Sequence, residues 1–305
     1  MSAAVSAVGA VPARAHRGTI ELEAGTIVQQ VAYDARQYVL RILAPRTARR
    51  ATPGSFVHLR CDARLPMRRP LSIMRAAPEA GWIDVLYKVT GAGTAALAAQ
   101  TEGRSISVLG PIGKGFTVHP ERPRVLAIGG GVGIPPMVFL AERLLADAGA
   151  HWKPLVLMGS EIPFPFRARP SRVLVPAAPN EAIACMPLLD EMGVASRLAS
   201  NAGYPGCFGG HVTELAAHWL GALAPAELVE VAIYACGPTP MLAATAALAR
   251  KFALPCQVSL EEYMACAVGG CAGCAVAVRT AQGRAMQRVC VDGPVFEAQS
   301  VYPDL

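Results

Sequence analysis

The chain has 305 residues, a length that predicts two or three domains rather than one. Hydrophobic residues make up 53% of it and charged residues 16%, which excludes a chain that is disordered throughout. The net charge of +6 comes from 28 basic and 22 acidic residues with no block of like charges, so no nucleic-acid-binding surface is expected.

The termini and the apolar runs predict no membrane segment. Residues 1–17 lack the basic start and long apolar core of a secretory signal, and we expect a flexible tail there. The uncharged run at residues 125–141 is interrupted by Gly and Pro and is short for a spanning helix. An odd count of nine cysteines without an export signal favours a reducing, cytoplasmic location, where clustered thiols more often bind metal or do redox work than form disulfides.

The first predicted domain, residues 18–121, is a small antiparallel β-barrel. Its apolar or alternating runs are separated by Pro and Gly, as in "GTIVQQVAY", "QYVLRILA", "GSFVHLRC", "WIDVLYKV" and "SISVLGPIG". Five or six short strands at this spacing are typical of a barrel. One helical segment, residues 93–100, interrupts them.

Two short motifs in this domain could hold phosphate. In "MRRPLSI", Arg69 offers a fork of donors to a pyrophosphate and Ser72 offers a hydroxyl. In "LYKVTGAGT", Gly93 and Thr94 stand at the start of the helical segment, where backbone N–H groups bind phosphate. Each motif alone could equally be a chance match or a plain turn, and it is their order along the chain that indicates a nucleotide cofactor.

The second predicted domain, residues 122–253, alternates strands and helices, which indicates a parallel sheet. "AIGGGVGIPPM" lies between a strand and a helix and contains Gly129, Gly130, Gly131 and Gly133. It departs from G-x-G-x-x-G, so it is either a dinucleotide-binding loop or a tight turn. "YACGPTPM" places Cys236, Gly237 and Pro238 at the carboxyl end of a later strand, the edge where ligands bind in open parallel sheets.

The third predicted domain, residues 254–305, contains short strands ("CAVAVRT", "AMQRVCV") and four clustered cysteines. Structural zinc sites usually use two C-x2-C pairs, whereas this segment has the C-x4-C-x2-C…C order of plant-type 2Fe–2S proteins, with glycines that let the backbone approach sulfur. A 2Fe–2S cluster is therefore favoured over zinc or four ordinary thiols. Cys256 is a less favoured alternative ligand, and Cys61, Cys185 and Cys207 are interpreted as buried or free thiols. The predicted ligands are Cys266, Cys271, Cys274 and Cys290.

The motifs Arg-x-x-Ser, Gly-x-Gly-Thr, the Gly-rich loop and Cys-Gly-Pro, in this order, resemble the ferredoxin–NAD(P) reductase superfamily. The C-terminal cysteine spacing and "CVDGPVF" most resemble the electron-transfer subunits of NAD-dependent dihydroorotate dehydrogenases. The resemblance covers roughly residues 18–300. It implies a multidomain fold with an antiparallel β-barrel FAD domain, a parallel-sheet α/β NAD-binding domain and a small C-terminal 2Fe–2S domain.

The resemblance also implies roles for individual residues. Cys236 would be a catalytic residue that positions the nicotinamide near the flavin, without acting as a nucleophile. From the residues themselves, Glu161, which follows the second sheet strand, could accept a hydrogen bond from a ribose hydroxyl and favour NAD(H) over NADP(H). Arg167 and Arg169 nearby argue the opposite, and Glu161 could equally be a solvated loop carboxylate. The residues implied to contact FAD are Arg69, Pro70, Leu71, Ser72, Leu86, Tyr87, Lys88, Gly93 and Thr94.

The function that the resemblance implies is electron relay between NAD(H), FAD and a 2Fe–2S cluster, to or from the FMN of a separate dihydroorotate dehydrogenase catalytic subunit in pyrimidine biosynthesis. A hetero-oligomer with that FMN-containing subunit is therefore expected. The alternatives are a stand-alone NAD(P)H-dependent flavin and iron–sulfur reductase, the reductase subunit of another redox complex, and a redox sensor without turnover.

Overall fold

The computed structural model describes residues 18, 20–147 and 151–305, so the predicted tail at 1–17 lies outside the described residues. The first domain is a closed barrel with the strand order β1-β2-β5-β4-β3-β6, all pairs antiparallel. This confirms the predicted antiparallel barrel. Its elements are β1 (Glu21–Tyr33), β2 (Gln37–Leu43), α1 (Pro45–Arg50), β3 (Phe56–Arg60), β4 (Arg69–Ala77), β5 (Trp82–Lys88), α2 (Ala92–Ala98) and β6 (Ser105–Ile112).

Alternation along each strand divides the barrel residues between two environments. On β3, Val57 and Leu59 are fully buried in the barrel interior. Because successive side chains point to opposite faces of a strand, Phe56 and His58 lie on the outer face, yet both are also buried. A second part of the protein must therefore cover the outer face of β3.

The second domain is a six-stranded sheet with the order β11-β8-β7-β12-β13-β16. Its first five strands are parallel, and β16 pairs antiparallel with β13. The strands are β7 (Arg124–Gly130), β8 (Lys153–Gly159), β11 (Ala195–Ala199), β12 (Val231–Cys236), β13 (Cys256–Ser259) and β16 (Val295–Glu297), and the helices are α3 (Ile134–Leu145), α4 (Pro187–Glu191), α5 (Val212–Gly221), α6 (Pro225–Leu228) and α7 (Thr239–Lys251). This confirms the predicted parallel-sheet domain.

The chain reverses its direction across this sheet between β7 and β12. After β7 it proceeds to β8 and β11 on one side, and it then returns to β12 on the other side. Helices α3 and α4 pack on one face, and α5 and α7 pack on the opposite face. In open parallel sheets, ligands bind in the crevice at such a switch point, beyond the carboxyl ends of the strands.

A long connection joins β8 to β11. It includes a small antiparallel pair, β9 (Arg169–Pro170) with β10 (Ala184–Cys185). The carboxylate of Asp190 holds this connection, because it accepts hydrogen bonds from Arg172 Nε at 3.0 Å and Ser171 Oγ at 3.0 Å. Arg169 also forms an ion pair with Asp190.

The C-terminal segment is divided between two structures. Strands β13 and β16, both inside the predicted 254–305 domain, belong to the α/β sheet. Between them lies the cysteine loop, followed by a hairpin of β14 (Ala275–Thr280) and β15 (Gly283–Arg288), the helical turn α8 (Val289–Asp292) and, after β16, α9 (Ala298–Val301). The strand predicted for "AMQRVCV" is wrong after Arg288, since the backbone turns helical there and buries Cys290 beside Cys274.

The cysteine segment packs against the outer face of the barrel. Phe56 of β3 and Ile112 of β6 share one buried cluster with Met264, Ala267, Cys274, Val278, Val289, Cys290, Val291 and Phe296. The backbone N–H of Lys114 donates to the carbonyl of Gly293 at 2.6 Å across the same contact. Among the described residues, no helix combines the length and the apolar character needed to cross a bilayer.

Replacing Ile112 with Ala should loosen this contact. Ile112 is fully buried, so the smaller side chain should leave a cavity and lower the free energy of unfolding by about 2–5 kcal/mol. Urea unfolding of the purified protein measures the change. As a control, Leu22→Ala on the barrel, where the side chain is 59% exposed, should change stability by about 0.5 kcal/mol or less. Equal effects of the two substitutions would contradict the packing described here.

Candidate functional site

The two phosphate-binding motifs of the barrel meet in the structure. Arg69 begins β4, and Gly93 lies in the first turn of α2. A Cβ placed on Gly93 would collide with the guanidinium group of Arg69, so the absence of a side chain at Gly93 is what allows the arginine to lie over this turn. A guanidinium group beside the N-terminal turn of a helix fits a pyrophosphate, because both offer N–H donors to phosphate oxygens.

Thr94 shapes the turn through its hydroxyl group. Its Oγ1 accepts hydrogen bonds from the backbone N–H groups of Thr90 at 3.0 Å and Gly91 at 3.3 Å. The side chain is buried, and it fixes the backbone that Arg69 covers. The structure thus brings Arg69, Gly93 and Thr94 into one location, as the motifs predict.

The remaining flavin candidates divide between the two faces of the barrel. Pro70 and Ser72 are half-buried on the outer face of β4, and Lys88 is half-buried at the end of β5. Leu71 packs against the barrel interior. Tyr87 also lies inside: it is 1% exposed, stacks on Tyr38 and donates its hydroxyl to Gln30 Oε1 at 2.9 Å. Leu71 and Tyr87 can therefore face a flavin with their backbone but not with their side chains.

Leu86 lies on the outer face of the barrel, between the two domains. It packs with Met74 against the residues of α3. An open cleft of about 490 Å³ lies beside it and is also lined by Ile134, Phe166 and Met186. The Arg69, Ser72 and Cys236 side chains do not line this cleft.

The two glycine-containing loops of the α/β domain are in direct contact. Gly129 is the penultimate residue of β7 and is paired in register with Cys236 at the end of β12. A Cβ on Gly133 would collide with the backbone carbonyl of Cys236, and a Cβ on Gly130 would press on Met241 and Pro238. Gly131 has a positive φ of 53°, and Gly237 lies against the backbone N of Gly130. The two loops thus meet at the switch point because glycine lets their backbones pack against each other. This edge of a parallel sheet is where ligands bind.

Cys236 is a neutral, fully buried thiol at this edge. Its burial and the nearby charge of Glu261 raise its pKa well above the ordinary value. A thiol that resists ionisation is a poor nucleophile, which fits a positioning role. Glu261 Oε1 lies 3.9 Å from Cys236 Sγ, and we did not identify this residue from the sequence. The sequence signal that could have identified Glu261 is its position two residues after β13, the strand that pairs with β12.

The four clustered cysteines form two pairs. Cys274 Sγ and Cys290 Sγ lie 3.4 Å apart, and the thiols of Cys266 and Cys271 are hydrogen-bonded to each other. A 2Fe–2S cluster requires this grouping, since each iron takes two cysteine sulfurs. Within the described part of the chain, no three His, Cys, Asp or Glu side chains gather around a position for one metal ion.

Backbone N–H groups around the loop point at the sulfur atoms. The N–H of Gly273 donates to Cys271 Sγ at 3.4 Å, and that of Cys290 donates to Cys274 Sγ at 3.5 Å. Positive φ angles at Ala267 (56°), Gly269 (86°) and Ala272 (52°) turn the chain around the thiols. These features fit a 2Fe–2S cluster, whose sulfur atoms accept hydrogen bonds from the surrounding backbone.

The thiols of this loop differ in acidity. Burial opposes ionisation of Cys266, but backbone N–H groups of Val268, Cys271 and Gly270 outweigh it and lower its pKa to about 6. Burial and the side-chain hydrogen bond that Cys290 shares with Cys274 raise the pKa of Cys290 to about 12. Because metal-binding cysteines are thiolates, cluster binding must release the proton of Cys290.

The other cysteines lie elsewhere. Cys256 is buried in the core between the sheet and helices α5 and α7, whereas Cys274 and Cys290 belong to the cluster that joins the loop to the barrel. Burial raises the pKa of Cys256. Cys61 is buried in the barrel interior. These positions favour the predicted four ligands over any set that includes Cys256.

Comparison with known proteins gives consistent matches. Residues 261–302 match the family described as the iron–sulfur cluster binding domain of dihydroorotate dehydrogenase B. The chain is 33% identical over 282 residues to the dihydroorotate dehydrogenase B (NAD(+)) electron transfer subunit of Shouchella clausii, covering 90% of this chain and 96% of that protein. The same subunit of Caldanaerobacter subterraneus is 34% identical over 249 residues, covering 82% of this chain and 86% of that protein.

Solved structures share the fold. An NADH-dependent reduced ferredoxin-NADP oxidoreductase, described for flavin-based electron bifurcation, superimposes with a TM-score of 0.72 and 26% identity over 92% of this chain and 90% of its own. A ferredoxin reductase of carbazole 1,9a-dioxygenase superimposes with a TM-score of 0.56 and 17% identity over 77% of this chain and 65% of its own. The second similarity concerns the fold alone.

Gly133→Ala should weaken NADH binding without removing the flavin. The added Cβ meets the Cys236 backbone, so the two loops must separate at the switch point. We expect the KM for NADH to rise by about tenfold or more, since about 1.4 kcal/mol of lost binding corresponds to tenfold. Steady-state kinetics with an artificial acceptor and the flavin content measure the two effects. The control Gly221→Ala, where a Cβ has open space, should behave as the unchanged protein; a normal KM for Gly133→Ala would contradict the assignment.

Serine at any of the four clustered cysteines should abolish or deplete the iron. Each substitution removes a sulfur ligand, and the visible absorption of the cluster should fall with the iron content. Iron and acid-labile sulfide analysis of anaerobically purified variants provides the measurement. Cys207→Ser is the matched control, because Cys207 is half-buried and distant in sequence from the loop, and it should retain full iron. Full iron in Cys274→Ser would exclude that residue as a ligand.

Proposed function

Because the chain belongs to the family of electron-transfer subunits of NAD-dependent dihydroorotate dehydrogenase B, we propose that it relays electrons between NAD(H) and the FMN of a dihydroorotate dehydrogenase catalytic subunit. The relay uses one FAD and one 2Fe–2S cluster. When bound, FAD would supply hydride exchange with the nicotinamide and one-electron exchange with the cluster, chemistry that amino-acid side chains alone lack. The observation that carries the proposal is the packing of the cysteine loop directly on the barrel that holds the flavin motifs.

The role of this chain's own residues in the reaction is to hold and orient the cofactors. Arg69 and the turn at Gly93 and Thr94 would hold the pyrophosphate of FAD. Gly130 and Gly133 let the loops after β7 and β12 pack together at the switch point, and Gly131 faces open space there. Cys236 stays protonated and buried beside that crevice, so it orients the nicotinamide without competing as a nucleophile. Cys266, Cys271, Cys274 and Cys290 hold the cluster.

The surroundings of Glu161 favour NAD(H) over NADP(H). Glu161 follows β8 at the carboxyl edge, where a carboxylate accepts from a ribose hydroxyl and repels a 2′-phosphate. Arg169, which could have bound that phosphate, forms ion pairs with Asp190 and Glu191 instead. The charges of Glu161, Asp190 and Glu191 at this edge therefore favour NAD(H), and the names of the relatives specify NAD(+).

A cytoplasmic location and a heteromeric assembly complete the proposal. All nine cysteines are free thiols, which suits a reducing compartment. The chain carries the electron-transfer motifs, and the relatives are named as subunits, so the pyrimidine site belongs to the partner. An FMN-containing catalytic subunit is the partner proposed, with pyrimidine biosynthesis as the setting.

Reconstitution tests this function. Mixed with its catalytic subunit, the protein should make NAD+ reduction depend on dihydroorotate, whereas neither subunit alone should catalyse it. Turnover with NADP+ at the same concentration should be clearly lower. A protein that reduces artificial acceptors fully but never couples to dihydroorotate would be a stand-alone reductase and would contradict the proposal.

A further inference from the structure

One buried histidine lies between the two cofactor segments. His58 is on the outer face of β3 and is 0% exposed. Its backbone is paired with Pro70, inside the Arg-x-x-Ser motif on β4. Phe56, on the same face of β3, packs in the cluster that contains Met264, Ala267 and the two buried ligand cysteines. His58 therefore lies where the flavin strand and the cysteine loop meet.

The imidazole of His58 has unused hydrogen-bonding capacity. Neither ring nitrogen has a partner within hydrogen-bond geometry in the described part of the chain. The backbone carbonyls of Met264 and Arg68 nevertheless lie close enough to favour a proton on the ring. Met264 precedes the first ligand cysteine by two residues, and Arg68 directly precedes Arg69. A fully buried polar group without a partner is costly, so native proteins rarely keep one without a role.

The charge state of this ring is settled by its surroundings. Burial and the positive charges of Arg68 and Arg69 lower the pKa of His58 to about 4, against the weaker effect of the two carbonyls. At neutral pH the ring therefore has one N–H donor and one acceptor nitrogen. Arg68 also fixes the strand, because its Nη1 donates to the His58 carbonyl at 3.0 Å and to the Ser107 carbonyl at 3.0 Å.

We propose that His58 is a positioning residue that couples the flavin-binding strand to the cluster-binding loop. Its ring N–H faces the backbone carbonyl of Met264, at the start of the cysteine loop, and through this contact sets the position of the loop relative to the strand that carries Arg69 and Ser72. This inference rests on the proposed function, since it concerns electron transfer between the two cofactors. It assigns His58 no contact with NADH and no proton transfer in the hydride step.

The test compares His58→Leu, which removes the N–H, with His58→Gln, which keeps a donor. In His58→Leu, FAD content and the rate of flavin reduction by NADH should stay near those of the unchanged protein. Reduction of the cluster after mixing with NADH should slow by about tenfold or more, the usual effect of removing a group that orients a metal site. Anaerobic stopped-flow absorption resolves the two steps. The circular dichroism of the oxidised cluster should also change in His58→Leu, and His58→Gln should restore most of both signals.

Phe56→Leu separates hydrogen bonding from packing. Phe56 lies on the same face and packs in the same cluster, but it carries no polar group. This control should lower stability while leaving the cluster spectrum and the rate of cluster reduction nearly unchanged. His58→Met replaces His58→Leu if the latter does not fold.

Two results would overturn the inference. One is His58→Leu with an unchanged cluster spectrum and normal cluster reduction; the other is equal slowing in Phe56→Leu and His58→Gln. If the unchanged protein itself shows no reduction of its cluster by NADH, the proposed function fails instead. The iron content and dichroism of the oxidised variants separate that failure from failure of the inference.

Discussion

The packing of the cysteine loop on the outer face of the barrel is the contact on which the rest of this structure depends. The loop and its hairpin bury only a few apolar residues, and these share one cluster with Phe56 and Ile112 of the barrel. A segment of this size cannot bury enough surface alone, so its position is set by the barrel. Because β3 is paired with β4, the same face that supports the cysteine loop adjoins the strand of the flavin motif.

The α/β sheet holds both ends of the cysteine loop. The cysteine loop is connected at both ends to strands of the α/β sheet, since β13 precedes it and β16 follows it. Glu261, directly after β13, reaches Cys236 at the end of β12. The nucleotide crevice, the barrel and the cysteine loop are therefore held by shared elements, and displacement of one would disturb the other two. This explains why relay of electrons through three sites can be achieved within one chain.

Much of this organisation could be predicted from the sequence, because it depends on local patterns. Alternating runs predict the barrel, strand–helix alternation predicts the sheet, and cysteine spacing predicts the ligand set. The features that were missed depend on long-range contacts. The pairing of β16 with β13 joins residues on either side of the cysteine loop, and the helical turn at Cys290 is set by its burial against Cys274. His58 reads as an ordinary strand residue, since nothing in "SFVHLRC" indicates that Met264 will cover it. Tyr87 is the opposite case. Its position in the motif predicts a side-chain contact with the flavin, but strand alternation directs its ring into the barrel interior.

The central claim is that one chain holds both an FAD on its barrel and a two-iron cluster in the loop packed against it. Chemical analysis of the anaerobically purified protein tests this claim most directly. The account predicts one FAD, two irons and two acid-labile sulfides per chain, as a single 2Fe–2S site requires. A protein that contains zinc in place of iron, or iron without flavin, would contradict it.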